Sequence, residues 1–117
     1  MTEEFKLCIV IPCYNEEKRL DITRISSFLK LNKNTLLCFV NDGSKDNTLE
    51  VLHKIKADFS QNVSVISTST NVGKAEAVRT GVQHCNSTYN YTKIAYLDAD
   101  LATTLEECVE ISEQVKS

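Results

Sequence analysis

At 117 residues with a formal net charge of −3, the chain is the size of one domain, and its lysines are scattered among acids instead of forming the basic stripe that nucleic-acid binding needs. Hydrophobic residues make up 42% and charged residues 25%, which is too apolar for a disordered chain. No apolar run approaches the roughly 18 residues that cross a bilayer, and the acidic start MTEEFK lacks the basic flank of a secretion signal, so a cytoplasmic chain without a transmembrane segment is expected.

Four β-rich apolar runs punctuate the sequence: KLCIVIP (6–12), TLLCFVN (35–41), VSVIS (63–67) and KIAYLD (93–98). The first, second and fourth are almost continuously apolar, as parallel strands covered on both faces are. Helical spacing fills the intervals. Ile22, Ile25, Phe28 and Leu29 form one stripe, Leu52, Ile55 and Phe59 a second, Ala75, Val78, Val82 and Cys85 a third, and Leu105, Cys108 and Val115 a fourth. Asp46 is placed to cap the second helix, and Thr103 with Glu106 fits a capping box for the last.

Alternating strands and helices with right-handed crossovers predict a doubly wound α/β fold, an open and mostly parallel sheet with helices on both faces. In such a fold ligands bind outside the carboxyl ends of the strands, where strand order reverses. The polar segments fall there: PCYNEE (12–17), NDGSKDNT (41–48), STNVGKAEAVRTG (69–81) and DADLATT (98–104) each follow a strand.

Asp98 and Asp100 close the fourth run, separated by one alanine. In an extended chain, side chains two residues apart point the same way at a spacing of roughly 6–7 Å. That suits one carboxylate gripping a cation and the other a sugar hydroxyl, and oxygen ligands select Mg²⁺ or Mn²⁺, commonly shared with substrate phosphates. The alternative is a strand-end aspartate followed by a solvated helix-start aspartate. Asp42 ends the second strand, where doubly wound nucleotide binders place an acid for ribose or base; Gly43 and Asp46 shape the turn and leave Asp42 free to accept from a base. Tyr14 offers a face for base stacking or, alternatively, packs in the core. Lys74 and Arg79 lie near a helix start, where phosphates bind, although a solvated helix position suits Arg79 better.

Other chemistries lack their signatures. There is no G-x-G-x-x-G after the first strand, no P-loop and no G-x-S-x-G elbow. The five cysteines show no C-x-x-C spacing and are expected to be small buried thiols. His53 and His84 fall on helices and are expected to be satisfied or solvated.

Taken in order, VIPCYNEE, VNDGSKDNT, NVGKAEAVRTG and YLDADLATTLEE resemble the N-terminal nucleotide-binding half of the inverting glycosyltransferases of family 2, with the A-type, Rossmann-like fold. NVGKAEAVRTG followed by DADLATT is similar to the branch holding the dolichyl-phosphate mannosyl- and glucosyltransferases and their bacterial polyprenyl-phosphate relatives. The resemblance implies a transferase in which Pro12, Tyr14 and Glu16 line the nucleotide pocket of a nucleoside-diphosphate sugar and Asp42 contacts the base. Asp98 would hold the ribose or assist the metal, Asp100 would coordinate Mg²⁺ or Mn²⁺ at the diphosphate, and Lys74 is carried over with them. The acceptor would be a lipid phosphate or a glycan, reached at the cytoplasmic face of a membrane, and inversion would require a base opposite the leaving group.

Departures from the family pattern are Asn41 in place of Asp, Ala75 in place of Gly and Thr104 in place of Pro. The chain ends about 17 residues after Asp100, where the family continues with acceptor contacts, so residues 1–117 are expected to form a single nucleotide-sugar-binding domain, the N-terminal part of a longer catalytic domain, with the general base beyond Ser117. The KIAYLD strand is expected at the sheet edge, open to homo-oligomer formation. The competing readings are a nucleotide-binding or regulatory module that has lost transfer, and a metal-dependent nucleotidyltransferase.

Overall fold

A computed structural model describes residues 4–100 and 104–114. The elements run β1 (Glu4–Cys13), α1 (Ile22–Leu31), β2 (Thr35–Asp42), α2 (Thr48–Asp58), β3 (Val63–Thr68), α3 (Lys74–Thr88), β4 (Asn90–Tyr96) and α4 (Leu105–Gln114), the alternation that the apolar runs predict. Every pairing is parallel, and the spatial order is β3-β2-β1-β4. The chain therefore steps outward from β1 to β3 and then crosses back to lay β4 on the other side of β1. Winding reverses between β1 and β4, and there the loops diverge and leave a crevice.

Strand alternation sorts the core into two layers. Leu7, Ile9 and Ile11 of β1 and Leu37 and Phe39 of β2 pack with Ile25, Phe28, Leu52, Ile55 and Leu105 from α1, α2 and α4. Cys8, Val10, Cys38 and Val40 face the other way, against Ala77 and Cys85 of α3. All eight residues of β2 are buried, as a central strand with both faces covered requires. The five cysteines are buried and unpaired, as small core thiols should be.

The third stripe is corrected. Helix α3 buries Ala77, Gly81 and Cys85, whereas Ala75 is exposed and Val78 and Val82 are half-buried. The reason is distance: a Cβ at Gly81 would lie 2.5 Å from Val10 Cγ1 and 2.9 Å from Val40 Cγ2. The helix sits so close to the sheet that only its smallest residues fit underneath, and its larger apolar residues are displaced to the flank.

The ends of the helices also shift. Asp21 caps α1, its Oδ1 accepting from the Arg24 amide at 3.0 Å. Asn47 occupies the N-cap of α2, one residue after the expected Asp46, although Asp46 Oδ1 still accepts from the Thr48 amide at 2.9 Å. For α4, Thr103 and the stripe residue Val115 lie outside the described residues; the Thr104 hydroxyl accepts from the Glu107 amide at 3.0 Å. Strand β4 stops at Tyr96, so Asp98 and Asp100 lie beyond it, Asp100 in a turn, and the pair is not on the extended strand that the sequence suggests. As expected, β4 is an edge strand among the described residues.

Candidate functional site

A cavity of about 430 Å³ opens at the carboxyl end of the sheet beside the β1–β4 crevice. It is lined by Pro12, Cys13, Tyr14, Glu16, Arg19, Asp42, Asn71, Gly73, Lys74, Asp98, Ala99 and Asp100. Pro12, Tyr14, Glu16, Asp42, Lys74, Asp98 and Asp100, drawn from the ends of β1 and β2, the start of α3 and the segments after β1 and β4, are thus brought to one place. Arg79 is not among them; it lies exposed and pairs with Glu76 at 3.4 Å.

The first two loops hold each other. Asn15, at φ 51°, donates its amide to Ser44 Oγ at 3.0 Å and accepts from the Lys45 amide at 2.8 Å. The Glu16 amide donates to Thr48 Oγ1 at 2.8 Å, the Glu17 amide to Asp46 Oδ2 at 3.3 Å, and the Asn47 amide to Glu17 Oε1 at 3.2 Å. Reciprocal side-chain acceptors and backbone donors fix YNEE against GSKDNT. Tyr14, 42% exposed, is thereby held with an open ring face at the cavity wall.

Asp42 holds the third loop. The residue is 3% exposed, and its carboxylate takes four hydrogen bonds: from Thr68 Oγ1 at 2.8 Å and the Val72 amide at 2.9 Å on Oδ1, and from Asn71 Nδ2 at 3.2 Å and the Gly73 amide at 3.0 Å on Oδ2. Asp42 therefore ties residues 68–73 to the end of β2 while itself lining the cavity. Gly43 permits this closeness. Its φ is +70°, and a Cβ there would meet the Asn71 amide nitrogen at 2.5 Å.

Charge concentrates on the opposite wall. Lys74 Nζ forms an ion pair with Asp98 and stands 5.9 Å from the centroid of the Tyr96 ring. The Asp98 hydrogen bond raises the Lys74 ammonium above its ordinary value, with Asp98, Tyr96 and Asp100 charges adding to the shift. Glu16 Oε2 is buried without a hydrogen-bond partner among the described residues. Burial pushes the Glu16 carboxyl above the usual carboxylate range; Arg19 opposes this, and Asp100, Asp46 and Asp98 reinforce it. Glu16, Asp98 and Asp100 therefore share one cavity with Asp42, four carboxyl groups in all.

A donor set made of carboxylate oxygens suits a hard divalent cation, and the partnerless Glu16 oxygen marks where positive charge is wanted. Among the described residues no three His, Cys, Asp or Glu side chains are grouped to hold a metal by themselves. A cation here would take one or two carboxylates and complete its shell from water and ligand phosphates, as Mg²⁺ commonly does.

Arg19, Asn71 and Gly73 escape the sequence reading. Arg19 belongs to the turn in which its amide donates to the Glu16 carbonyl at 2.9 Å, so its place in PCYNEEKR, three residues after Glu16, is the available signal. Of the histidines, His53 is exposed; His84 Nε2 bonds Ser64 Oγ at 2.9 Å and its ring meets Tyr89 edge-on. Neither lines the cavity.

Residues 8–113 match the family model described as glycosyl transferase family 2. The chain is similar to a dolichyl-phosphate beta-glucosyltransferase of Saccharomyces cerevisiae, 36% identical over 97% of this chain and 35% of that protein. It is also similar to a dolichyl-phosphate beta-glucosyltransferase of Trichomonas vaginalis, 32% identical over 95% of this chain and 35% of that protein, and to an undecaprenyl-phosphate 4-deoxy-4-formamido-L-arabinose transferase of Pseudomonas fluorescens, 33% identical over 91% and 31%. Among solved structures, S. aureus TarS in complex with UDP-GlcNAc superposes with a TM-score of 0.68 at 22% identity, covering 93% of this chain and 31% of that one, a likeness of fold. The chain spans about a third of the length of the curated relatives it matches. A family match over nearly all its length, joined to a doubly wound sheet whose acidic cavity sits at the reversal of strand order, makes this chain a member of glycosyl transferase family 2.

Proposed function

We propose that the rim cavity binds a nucleoside-diphosphate sugar with Mg²⁺ or Mn²⁺, and that the chain is the donor-binding part of an inverting glycosyltransferase whose acceptor is a polyprenyl phosphate. The observation that carries this reading is the convergence of Tyr14, Glu16, Lys74, Asp98 and Asp100 on one cavity at the β1–β4 reversal. The family match and the polyprenyl-phosphate transferases among the relatives support it.

Pro12 and Tyr14 form the apolar wall on which the base lies. Asp42 acts indirectly, by holding Asn71 and Gly73 in the wall through its hydrogen bonds. Asp100, with Asp98, would hold the cation, and such an ion would supply charge stabilisation for a departing diphosphate. Lys74 supplies a fixed positive charge from the chain itself, at the start of α3, where backbone amides favour anions.

In the transfer, an acceptor phosphate oxygen forms a bond to the anomeric carbon from the face opposite the diphosphate. The carbon–oxygen bond to the diphosphate breaks, and its electron pair leaves with the nucleoside diphosphate. A phosphate monoester has a second pKa of about 6, so this acceptor arrives ionised at neutral pH. The base expected beyond Ser117 is then not required for the attack.

Calorimetry of the chain with UDP- and GDP-sugars, with and without Mn²⁺, tests the reading. Mn²⁺-dependent binding is expected for the parent chain and its loss for Asp100→Ala. Binding that needs Mn²⁺ and survives the substitution would remove Asp100 from the cation.

A further inference from the structure

Two cations line the charged cavity, and they differ in what already holds them. Lys74 is ion-paired with Asp98 and stands near the Tyr96 ring. Arg19 is exposed, and among the described residues its side chain has neither an ion pair nor a hydrogen bond. It acts on Glu16 through space, drawing that carboxyl back toward the ordinary carboxylate range against the effect of burial. The backbone beneath Arg19 is nevertheless fixed. The Arg19 and Leu20 amides donate to the Glu16 carbonyl at 2.9 and 3.0 Å, Leu20 is buried in the core, and the Glu16 amide is tied to the hydroxyl of the fully buried Thr48. An uncommitted guanidinium is thus carried on a rigid anchor.

On its outer side Arg19 borders a second hollow of about 570 Å³, shared with Asn15, Glu17, Lys18, Lys45 and Asp46. Two cations there balance two anions, and both anions are engaged: Glu17 accepts from the amides of Asn47, and Asp46 from the amides of Glu17 and Thr48. The cavity side carries four carboxyl groups against Lys74 alone. The field therefore draws the guanidinium into the cavity.

We propose that Arg19 is the binding residue that meets the donor's diphosphate before any metal ion does. The proposal rests on the reading of this cavity as a nucleoside-diphosphate sugar site. Two properties select Arg19 over Lys74. A guanidinium presents a planar fork of donors that matches two phosphate oxygens at once, where an ammonium offers a point charge. Lys74, moreover, reaches an anion only by giving up Asp98, whereas Arg19 has no ion-pair partner to give up. Arg19 supplies the metal-independent share of the attraction for the diphosphate, and a cation on Asp98 and Asp100 adds the remainder.

The test is calorimetry of the full chain with UDP and with uridine, first in EDTA and then with Mn²⁺, joined to nuclear magnetic resonance with inorganic pyrophosphate. In EDTA, Arg19→Gln is expected to weaken UDP about tenfold while uridine stays within about twofold, and pyrophosphate is expected to shift the Arg19 Nε–H resonance of the parent chain. Arg19→Lys keeps the charge without the fork and should recover only part of the loss. Lys18→Gln removes the same charge one residue away, on the side of the outer hollow, and should leave UDP within about twofold. The urea midpoint of Arg19→Gln should match that of the parent, because an exposed side chain without partners contributes little to stability. Equal losses of UDP and uridine on Arg19→Gln would overturn the proposal. So would a larger loss of metal-free UDP affinity on Lys74→Gln than on Arg19→Gln, or a parent chain that binds UDP only when Mn²⁺ is present. A parent chain that binds UDP under neither condition refutes the functional reading itself.

Discussion

Replacing Asp42 by alanine removes the carboxylate acceptor of the Val72 and Gly73 amides and of Thr68 Oγ1 and Asn71 Nδ2, of which Thr68 Oγ1 keeps the Thr70 carbonyl at 2.7 Å and Asn71 Nδ2 the residue 42 carbonyl at 3.2 Å. Hydrogen bonds to a charged group are worth about 1.5–3 kcal/mol each, and an orphaned buried donor costs about 1–3 kcal/mol. Asn71 and Val72 are exposed and Thr68 and Gly73 half-buried, so water takes over part of the loss, leaving a net destabilisation of about 2–4 kcal/mol. With a urea slope of about 1–3 kcal/mol/M for a domain of this size, equilibrium unfolding followed by far-ultraviolet circular dichroism should show the midpoint falling by about 1–2 M. Asp42→Asn sharpens the test. The Val72 and Gly73 amides and Asn71 Nδ2 can only donate, and an amide turns one carboxylate oxygen into a donor group, so the isosteric variant should also be destabilised. A midpoint for Asp42→Asn close to that of the parent chain, with nucleotide affinity alone reduced, would refute this account and return Asp42 to direct contact with the base.

Three further outcomes follow from the packing and the charges. Gly81→Ala gains about 1 kcal/mol of helix propensity, yet its methyl meets Val10 and Val40 at 2.5 and 2.9 Å, an overpacking that costs about 1–3 kcal/mol; thermal unfolding should show net destabilisation, relieved by Val10→Ala in the same chain. Asp21→Ala removes the side-chain cap of α1 and is expected to cost about 1 kcal/mol, read from the urea midpoint. Burial raises the Glu16 carboxyl above its ordinary value, so between the unfolded and folded values the folded chain holds more protons and stability falls as pH rises. Glu16→Gln should therefore melt higher than the parent at neutral pH and coincide with it below about pH 4, where the unfolded carboxyl is also protonated.

How far the sequence discloses the molecule depends on which property each feature encodes. Strands and their order in the chain are written in apolar runs, because a parallel strand covered on both faces has no polar side to disguise it, and β1 and β2 lie where KLCIVIP and TLLCFVN put them. The inward face of α3 is not written there. Hydrophobic periodicity registers Val78 and Val82 more strongly than Gly81, but the helix lies over Val10 and Val40 at a distance that admits only small residues, so size outranks hydropathy. The cavity was legible as four polar loops following four strands, since topology alone carries strand ends to one rim. The partners inside it were not: whether the Asp42 carboxylate faces a ligand or the backbone of residues 72 and 73 depends on a loop conformation that no spacing in NDGSKDNT reveals.

The pairing of Lys74 with Asp98 changes what the two aspartates signify. Read along the chain, Asp98 and Asp100 ask for a positive charge that the sequence does not place beside them. In three dimensions α3 brings Lys74 to Asp98, and Arg19 acts on Glu16. Two cations, Arg19 and Lys74, share the cavity with four carboxyl groups, from Glu16, Asp42, Asp98 and Asp100, and one of their oxygens, Glu16 Oε2, is buried without a hydrogen-bond partner among the described residues. Such a surplus of acid is unfavourable for folding, because each added carboxylate raises the protonation tendency of its neighbours. On the proposed reading, a divalent cation bound with a diphosphate would offset that surplus: it would take over the charge compensation of Asp98 and leave Lys74 to meet the diphosphate.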